Sequence, residues 1–296
     1  MHHFTTSTCL TLASDPNVRN FWRVNVPQIG FAYPYVLKGI LALSALHLSR
    51  LRPQQRDSLV KQAMVHHNAS TSMVMPILSE NVIGNDEFTP VFCYSMLTTT
   101  ITFARPRTTD DFLLVSNGIL PEWLLISRGV THLIEAQGEH IFSISSMDAL
   151  FHSGKDFTAA WLQHGDTEHE GLRELEANIR HDVIDSEQLT GLEEGIIALR
   201  RSFGLYAANG HDEEKRLRSV LVWVIMLPQS FITLLRSHCC EALCVLAYYC
   251  VLLKRMEHVW WVEGWAFHLI ERIYSALDER HRLWIRWPLE EIGWAP

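Results

Sequence analysis

The chain has 296 residues, 48% of them apolar and 20% charged, with a net charge of −8. That length and balance suit a globular chain with a sizeable core. The acidic surplus excludes nucleic-acid binding through a basic face of this chain alone, and the sparse Gly (15) and Pro (11) exclude a turn-rich all-β fold.

Apolar residues recur at helical spacing along most of the chain, and strand-like alternation is nearly absent. The expected fold is all-α: a single helical domain, residues 1–296, of roughly ten helices around a hydrophobic pocket, with a flexible polar connector. Pro34 suits the first turn of a helix running to Leu51, because its missing N–H has no partner there anyway. The run from Val36 to Leu48 is apolar almost all round and predicts burial on most faces. Gly39, Ala42, Ser44 and Ala45 are small enough to let neighbouring helices approach. Pro53 opens a longer amphipathic helix through about Ile77. Asn85 and Asp86 can cap a helix from Glu87 to Ala104, and Thr108-Thr109-Asp110-Asp111 can start another from Phe112 to Leu120. Pro121 begins a helix from Trp123 to Ala136, interrupted at Gly129.

From Gln137 to Glu176 the sequence turns polar and glycine-bearing, so 137–176 is expected to be a mobile, partly ordered connector. Helices follow at Leu172 to Ile184 and from Ser186 to Ala208, with Asn209-Gly210 as a stop. The aromatic-rich last part, 211–296, predicts helices at His211 to Met226, Pro228 to Met256 and His258 to Leu277, then a short turn to Trp294. Trp223, Trp260, Trp261, Trp265, Trp284, Trp287 and Trp294 all fall there. So much aromatic area must be buried or must face a ligand.

The sequence holds no G-x-G-x-x-G, Walker lysine, H-E-x-x-H or G-x-S-x-G motif. The six cysteines are Cys9, Cys93, Cys239, Cys240, Cys244 and Cys250. Adjacent Cys239 and Cys240 diverge on a helix and only Cys240 and Cys244 share a face, so the group reads as small buried hydrophobes. His164, Asp166 and His169 lie together in the connector without a second anchoring element, and read as solvated. His238 and Glu241 share a face near Cys244, where they can line a pocket or satisfy each other in a core. No catalytic set, metal site or cofactor is expected. The longest apolar run, Cys239 to Leu253, carries Glu241 and falls short of the ~20 residues a spanning helix needs, so no transmembrane segment is expected.

Several segments resemble the C-terminal regulatory domain of fungal binuclear zinc-cluster transcription factors, most closely the sterol uptake control regulators. They are His2-His3-Phe4-Thr5-Thr6-Ser7-Thr8, Pro34-Tyr35-Val36-Leu37 running into Ile40 to Leu48, Phe103-Ala104-Arg105-Pro106, and Ser127-Arg128-Gly129-Val130. Leu243 to Leu253, Trp260-Trp261-Val262-Glu263-Gly264-Trp265 and Trp284-Ile285-Arg286-Trp287-Pro288 complete the set in order. The resemblance implies an α-helical, dimeric domain whose hydrophobic pocket takes a sterol-like molecule. It further implies that ligand holds the protein inactive outside the nucleus and that ligand loss releases it to activate transcription, a population shift between two states. The six-cysteine DNA-binding cluster of that family does not occur in these 296 residues, so the chain is expected to be a fragment, a truncated product or a stand-alone domain.

Helix position and aromatic content place the pocket lining at Phe92, Met96, Trp223, Met226, Phe231, Tyr248, Trp261 and Trp265, with His238 or Tyr249 as polar handles. Core packing is the rival role for each. The alternatives are a small-molecule cyclase or isomerase on the same scaffold, and a ligand-free dimerisation module.

Overall fold

Helical periodicity in the sequence becomes helix nearly throughout. The structure is a computed structural model, and it describes residues 1–79, 84–109, 111–115, 118–137, 148–164 and 169–296. In chain order the helices are α1 (His2–Thr6), α2 (Pro16–Asn20), α3 (Val26–Ala32), α4 (Pro34–Leu51), α5 (Arg56–Ser79), α6 (Asn85–Ala104), α7 (Glu122–Gln137) and α8 (Asp148–Gln163). They continue with α9 (Glu170–Asp182), α10 (Ser186–Ala208), α11 (Glu213–Met226), α12 (Gln229–Arg236), α13 (Cys240–Arg255), α14 (Trp265–Ala276), α15 (Glu279–Trp284) and α16 (Arg286–Ile292). Among the described residues there is no β-strand. Nor is any single helix long and apolar enough to cross a membrane. The all-α expectation holds.

The chain gathers into two compact units, Met1–Pro106 with Glu122–Asp156, and Arg107–Pro121 with Phe157–Pro296. In the first, α4 packs along α5 and α6. Gly39 makes that approach possible: a Cβ there would stand 3.2 Å from Leu97 Cδ1. Val36, Ile40, Leu43 and Leu46 of α4 are buried, as are Val91, Tyr94, Leu97 and Ile101 of α6. The Tyr94 hydroxyl meets Ser70 Oγ at 3.1 Å and Thr71 Oγ1 at 3.0 Å, so its burial leaves no unmet hydrogen bond. His47 is buried against His3, whose ring stacks on it at 5.1 Å, and its Nδ1 lies 3.1 Å from Thr8 Oγ1. Burial, with the nearby His3 and Arg50 charges, pushes His47 down to about 4.

In the second unit α13 is the central rod: every residue from Ala242 to Leu253 is buried. Helices α9, α10, α12, α14 and α16 pack around it. Two glycines set the closest approaches. A Cβ on Gly195 would fall 2.4 Å from the Phe231 ring, and one on Gly171 would fall 2.8 Å from the Trp287 ring. Between α9 and α10 the buried Glu176 and Arg200 pair directly, and Arg180 bridges Glu176 and Glu193 at 2.8 Å each. A buried pair of this kind is costly to break, because removal of one partner strands the other charge.

The helix expected from Phe112 to Leu120 does not form. Asp111 Oδ1 accepts the Leu113 N–H at 3.0 Å, a local turn that competes with helix, and Leu113 takes φ 64°. Its apolar run is buried as a loop instead: Leu113, Leu114 and Val115 are each nearly inaccessible. The single helix expected from Pro228 to Met256 is broken between Arg236 and Cys240, where His238 sits at φ 55° and the Cys239 N–H turns back to the Leu234 carbonyl at 3.0 Å. Likewise the helix expected from His258 starts only at Trp265, after Gly264 at φ 78°. Gly129 does not interrupt α7. The stretch 137–176, expected as a connector, contains α8 and the first turns of α9; residues 138–147 and 165–168, with Asp166, lie outside the described residues.

Candidate functional site

The residues expected to line a pocket separate into three settings. Phe92 and Met96 lie half-buried on α6 in the first unit, with Phe92 tilted against Phe88 at 6.2 Å. All the others belong to the second unit. There Trp223, Phe231 and Tyr249 form one aromatic cluster from α11, α12 and α13. Trp223 stacks on Tyr249 at 4.3 Å and meets Phe231 edge-on at 6.1 Å, while its Nε1 donates to the Gly195 carbonyl at 3.3 Å. Met226 ends α11, half-buried.

Tyr248 and Trp265 face elsewhere. Tyr248 stacks on Trp287 at 5.3 Å and donates its hydroxyl to the Trp284 carbonyl at 3.1 Å. Trp265 carries the Arg107 guanidinium over its ring at 5.1 Å, and Trp261 is buried in the turn ahead of α14. Six of the expected lining residues, Trp223, Phe231, Tyr248, Tyr249, Trp261 and Trp265, are thus packed into the unit's interior.

Of the expected set, His238 lines an apolar seam. It stands at the exposed turn between α12 and α13, with the Phe112 ring edge-on at 5.5 Å. The seam is lined by Phe112, Leu114, Val115, Leu235, His238, Leu243 and Leu246. It is too narrow to seat a water, and so is no ligand pocket as it stands. One wall is the 107–121 segment, held to the rest of its unit by polar ties. Arg107 donates to the Glu263 carbonyl, His268 Nε2 to the Asp111 carbonyl at 2.8 Å, and Arg236 Nε to the Gly118 carbonyl at 3.0 Å.

Leu235 and Phe231 are four apart on α12, and Leu246 and Tyr249 three apart on α13, so the seam leads by one turn to the aromatic cluster. At that end the Tyr249 hydroxyl is fully buried with no hydrogen-bond partner among the described residues. Burial, with the neighbouring Cys250, pushes it well above the usual tyrosine range. The sequence pointed to His238 and Tyr249 but missed Phe112, Leu114 and Val115, because a helical reading of that segment turned them to the wrong partners.

A second group of polar side chains lies where α13 and α15 begin. Asp278 caps α15 by accepting the His281 N–H at 2.9 Å, and its Oδ2 lies 2.8 Å from His281 Nδ1. On the other side, His281 Nε2 is 3.7 Å from Glu241 Oε1, and Cys239 Sγ donates to Glu241 Oε2 at 2.9 Å. The Cys240 sulfur, the Asp278 carboxylate and the His281 ring nitrogen lie within 4.8 Å of one another. Burial pushes the Cys240 thiol up, as do the nearby Asp278 and Glu241 carboxylates. Cys239 is pushed up to about 11 by burial and by its bond to Glu241. The cysteine spacing could not show this group, since its other members come from a distant turn.

No family model matches the chain. Over 98% of its length it is 21% identical to a Zn(2)-C6 fungal-type transcription factor of Gibberella zeae, of which it covers 60%. The chain is similar to Zn(2)-C6 fungal-type transcription factors. A second such protein, Zn(2)-C6 fungal-type transcription factor afumD of Aspergillus fumigatus, is 25% identical over 47% of this chain and is covered for 36% of its own length. The chain therefore spans about 60% of one curated relative and about a third of the other. Both relatives are named as transcription factors.

Proposed function

We propose that this chain is the helical regulatory region of a Zn(2)-C6 type transcription factor, controlled by a sterol-like lipophilic effector. The likeness over 98% of the chain supports the regulatory part. The observation that carries the effector is the Tyr249 hydroxyl, buried without a partner one helical turn beyond an apolar seam whose outer end is His238. An unmet buried hydroxyl costs about 1–3 kcal/mol, which a ligand hydroxyl would recover. A rigid apolar molecule with one polar end fits that chemistry. To admit it, Phe112 and Leu114 must swing away from α12 and α13, so the effector selects a state in which the 107–121 segment has moved. That movement is the signal: it changes the surface that a partner, including a second copy of the chain in a homodimer, would meet. In this reading the effector-bound form stays in the cytoplasm and the effector-free form acts in the nucleus.

Two measurements test the reading. A fluorescent sterol should quench tryptophan emission by energy transfer on binding the full chain, and ergosterol should displace it. Leu246→Trp, which fills the seam, should weaken that binding at least tenfold. Fused to an unrelated DNA-binding domain, the chain should drive a reporter that sterol depletion raises and Leu246→Trp uncouples from sterol. Reporter output indifferent to sterol, together with no displaceable binding, would overturn the effector; a silent reporter under all conditions would overturn the regulatory role.

A further inference from the structure

We propose that Cys240, Asp278 and His281 form a binding site for a divalent transition-metal ion of the zinc class, with solvent completing the shell and Glu241 facing the far ring nitrogen of His281. Thiolate, imidazole and carboxylate together suit Zn²⁺ or Co²⁺ and not the oxygen-seeking Ca²⁺ or Mg²⁺. In a tetrahedral site with metal–ligand distances of about 2.0–2.3 Å, donor atoms stand roughly 3.3–3.8 Å apart. The three donors here lie within 4.8 Å of one another, so closing onto an ion needs side-chain movements of about an ångström.

The geometry also supplies the support that metal-bound histidines require. His281 Nδ1 already lies 2.8 Å from the Asp278 carboxylate, so an ion that takes both replaces that contact, while Nε2 faces Glu241, 3.7 Å away, which orients the ring. Helix capping accounts for Asp278, and the Asp278–His281 pair accounts for the ring, without any ion. Neither accounts for a thiol brought to the same point from the start of α13. The His281 side chain is 12% exposed and that of Asp278 57%, so an ion reaches the group from solvent without unfolding. On binding, the Cys240 thiol gives its proton to water and its sulfur forms the bond to the metal; no oxidation or reduction takes place. The ion would clamp the first turn of α13 to the first turn of α15, across the length of α14.

The test uses the full, reduced, metal-free chain. Co²⁺ should bind one-to-one and produce a thiolate-to-metal charge-transfer band, and Zn²⁺ should bleach it. Cys240→Ser should abolish the band and weaken Zn²⁺ binding, followed by calorimetry against a chelator, by about 100-fold. His281→Gln should weaken Zn²⁺ comparably while keeping some thiolate character in the Co²⁺ spectrum. Cys239→Ser should keep the band, because that thiol faces Glu241 from the other side. Cys240 is only half-buried, so its serine variant keeps the wild-type helix signal, which circular dichroism checks. Absence of the band in the wild type, or its survival in Cys240→Ser, overturns the site. So does loss of the band in Cys239→Ser alone.

Discussion

Gly195→Ala tests whether the second unit is assembled as described. The added methyl would lie 2.4 Å from Phe231 Cδ2 and 2.8 Å from both Cε2 and Cγ. Phe231 is fully buried and meets Trp223 edge-on, so its ring has no free space to turn into. Carbon atoms in contact settle near 3.5–4.0 Å, so α10 and α12 must part by about an ångström. Overpacking of a fixed core costs about 1–3 kcal/mol, and a case with three such contacts belongs at the upper end. The same shift stretches the bond from Trp223 Nε1 to the Gly195 carbonyl, 3.3 Å at present, worth about 1 kcal/mol. Alanine's better helix propensity returns about 1 kcal/mol. The net is a destabilisation of about 2–3 kcal/mol, or a Tm lower by roughly 4–12 °C. Urea unfolding followed by tryptophan emission measures it, and Phe231→Leu in the same chain should recover more than half of the loss. An alanine variant as stable as the wild type would mean that α10 and α12 are farther apart than this packing requires.

Gly129 offers the opposite case: it is an exposed helical glycine on α7 with nothing near its missing Cβ, so Gly129→Ala should stabilise by about 0.5–1 kcal/mol in the same urea assay. Asp185→Ala removes the side chain that accepts the Gln188 N–H at 2.7 Å and should cost about 1 kcal/mol through the α10 N-cap; no change in Tm would refute the cap. Tyr249→Phe removes the unpartnered hydroxyl and should leave the unliganded chain as stable or about 1 kcal/mol more stable, while weakening sterol binding; a large loss of stability would reveal a partner for that hydroxyl. Burial pushes His47 down to about 4, and burial with the Arg105 charge pushes His67 to about 4 as well. Each is neutral when folded and protonates near 6.5 when unfolded, so the unfolded chain binds more protons in that interval. Stability is therefore full above about pH 6.5 and falls as pH drops towards 4, by at most about 1.4 kcal/mol per pH unit for each histidine. Urea midpoints across pH 4–7 measure the slope, which should flatten in His47→Asn; an unchanged slope there would remove His47 from the account.

Local physics explains which parts were legible from the residues alone. Pro34 and the small residues behind it mark α4 with both ends and its buried faces, because a proline start and an all-round apolar pattern need no distant information. The starts expected at Ser186 and His211 fall within two residues of α10 and α11, although the caps are Asp185 and Asp212, each accepting a backbone N–H three residues on. The breaks at His238 and Gly264 were not legible. Both lie inside runs whose periodicity favours helix: glycine takes φ 78° at no steric cost, whereas His238 at φ 55° holds that conformation only through its surroundings. The segment from Phe112 was misread for a related reason: its apolar residues are buried by neighbours on α12 and α13, so they need no helix of their own.

The functional groups divide in the same way. From its own residues the chain determined that it is all-α, that it has no basic face and that its last third concentrates aromatic residues. It also singled out His238 and Tyr249, since a polar group inside an apolar helical run is visible without coordinates. Only the tertiary structure decided that Trp223, Trp261, Trp265 and Trp284 are buried while Trp260, Trp287 and Trp294 stay partly exposed, that Phe112, Leu114 and Val115 wall the seam beside His238, and that Cys240 meets Asp278 and His281. Composition and spacing report what a residue does to its own turn of helix. Which side chains from distant turns converge is set by helix packing, and that depends on the shapes of all the partners at once.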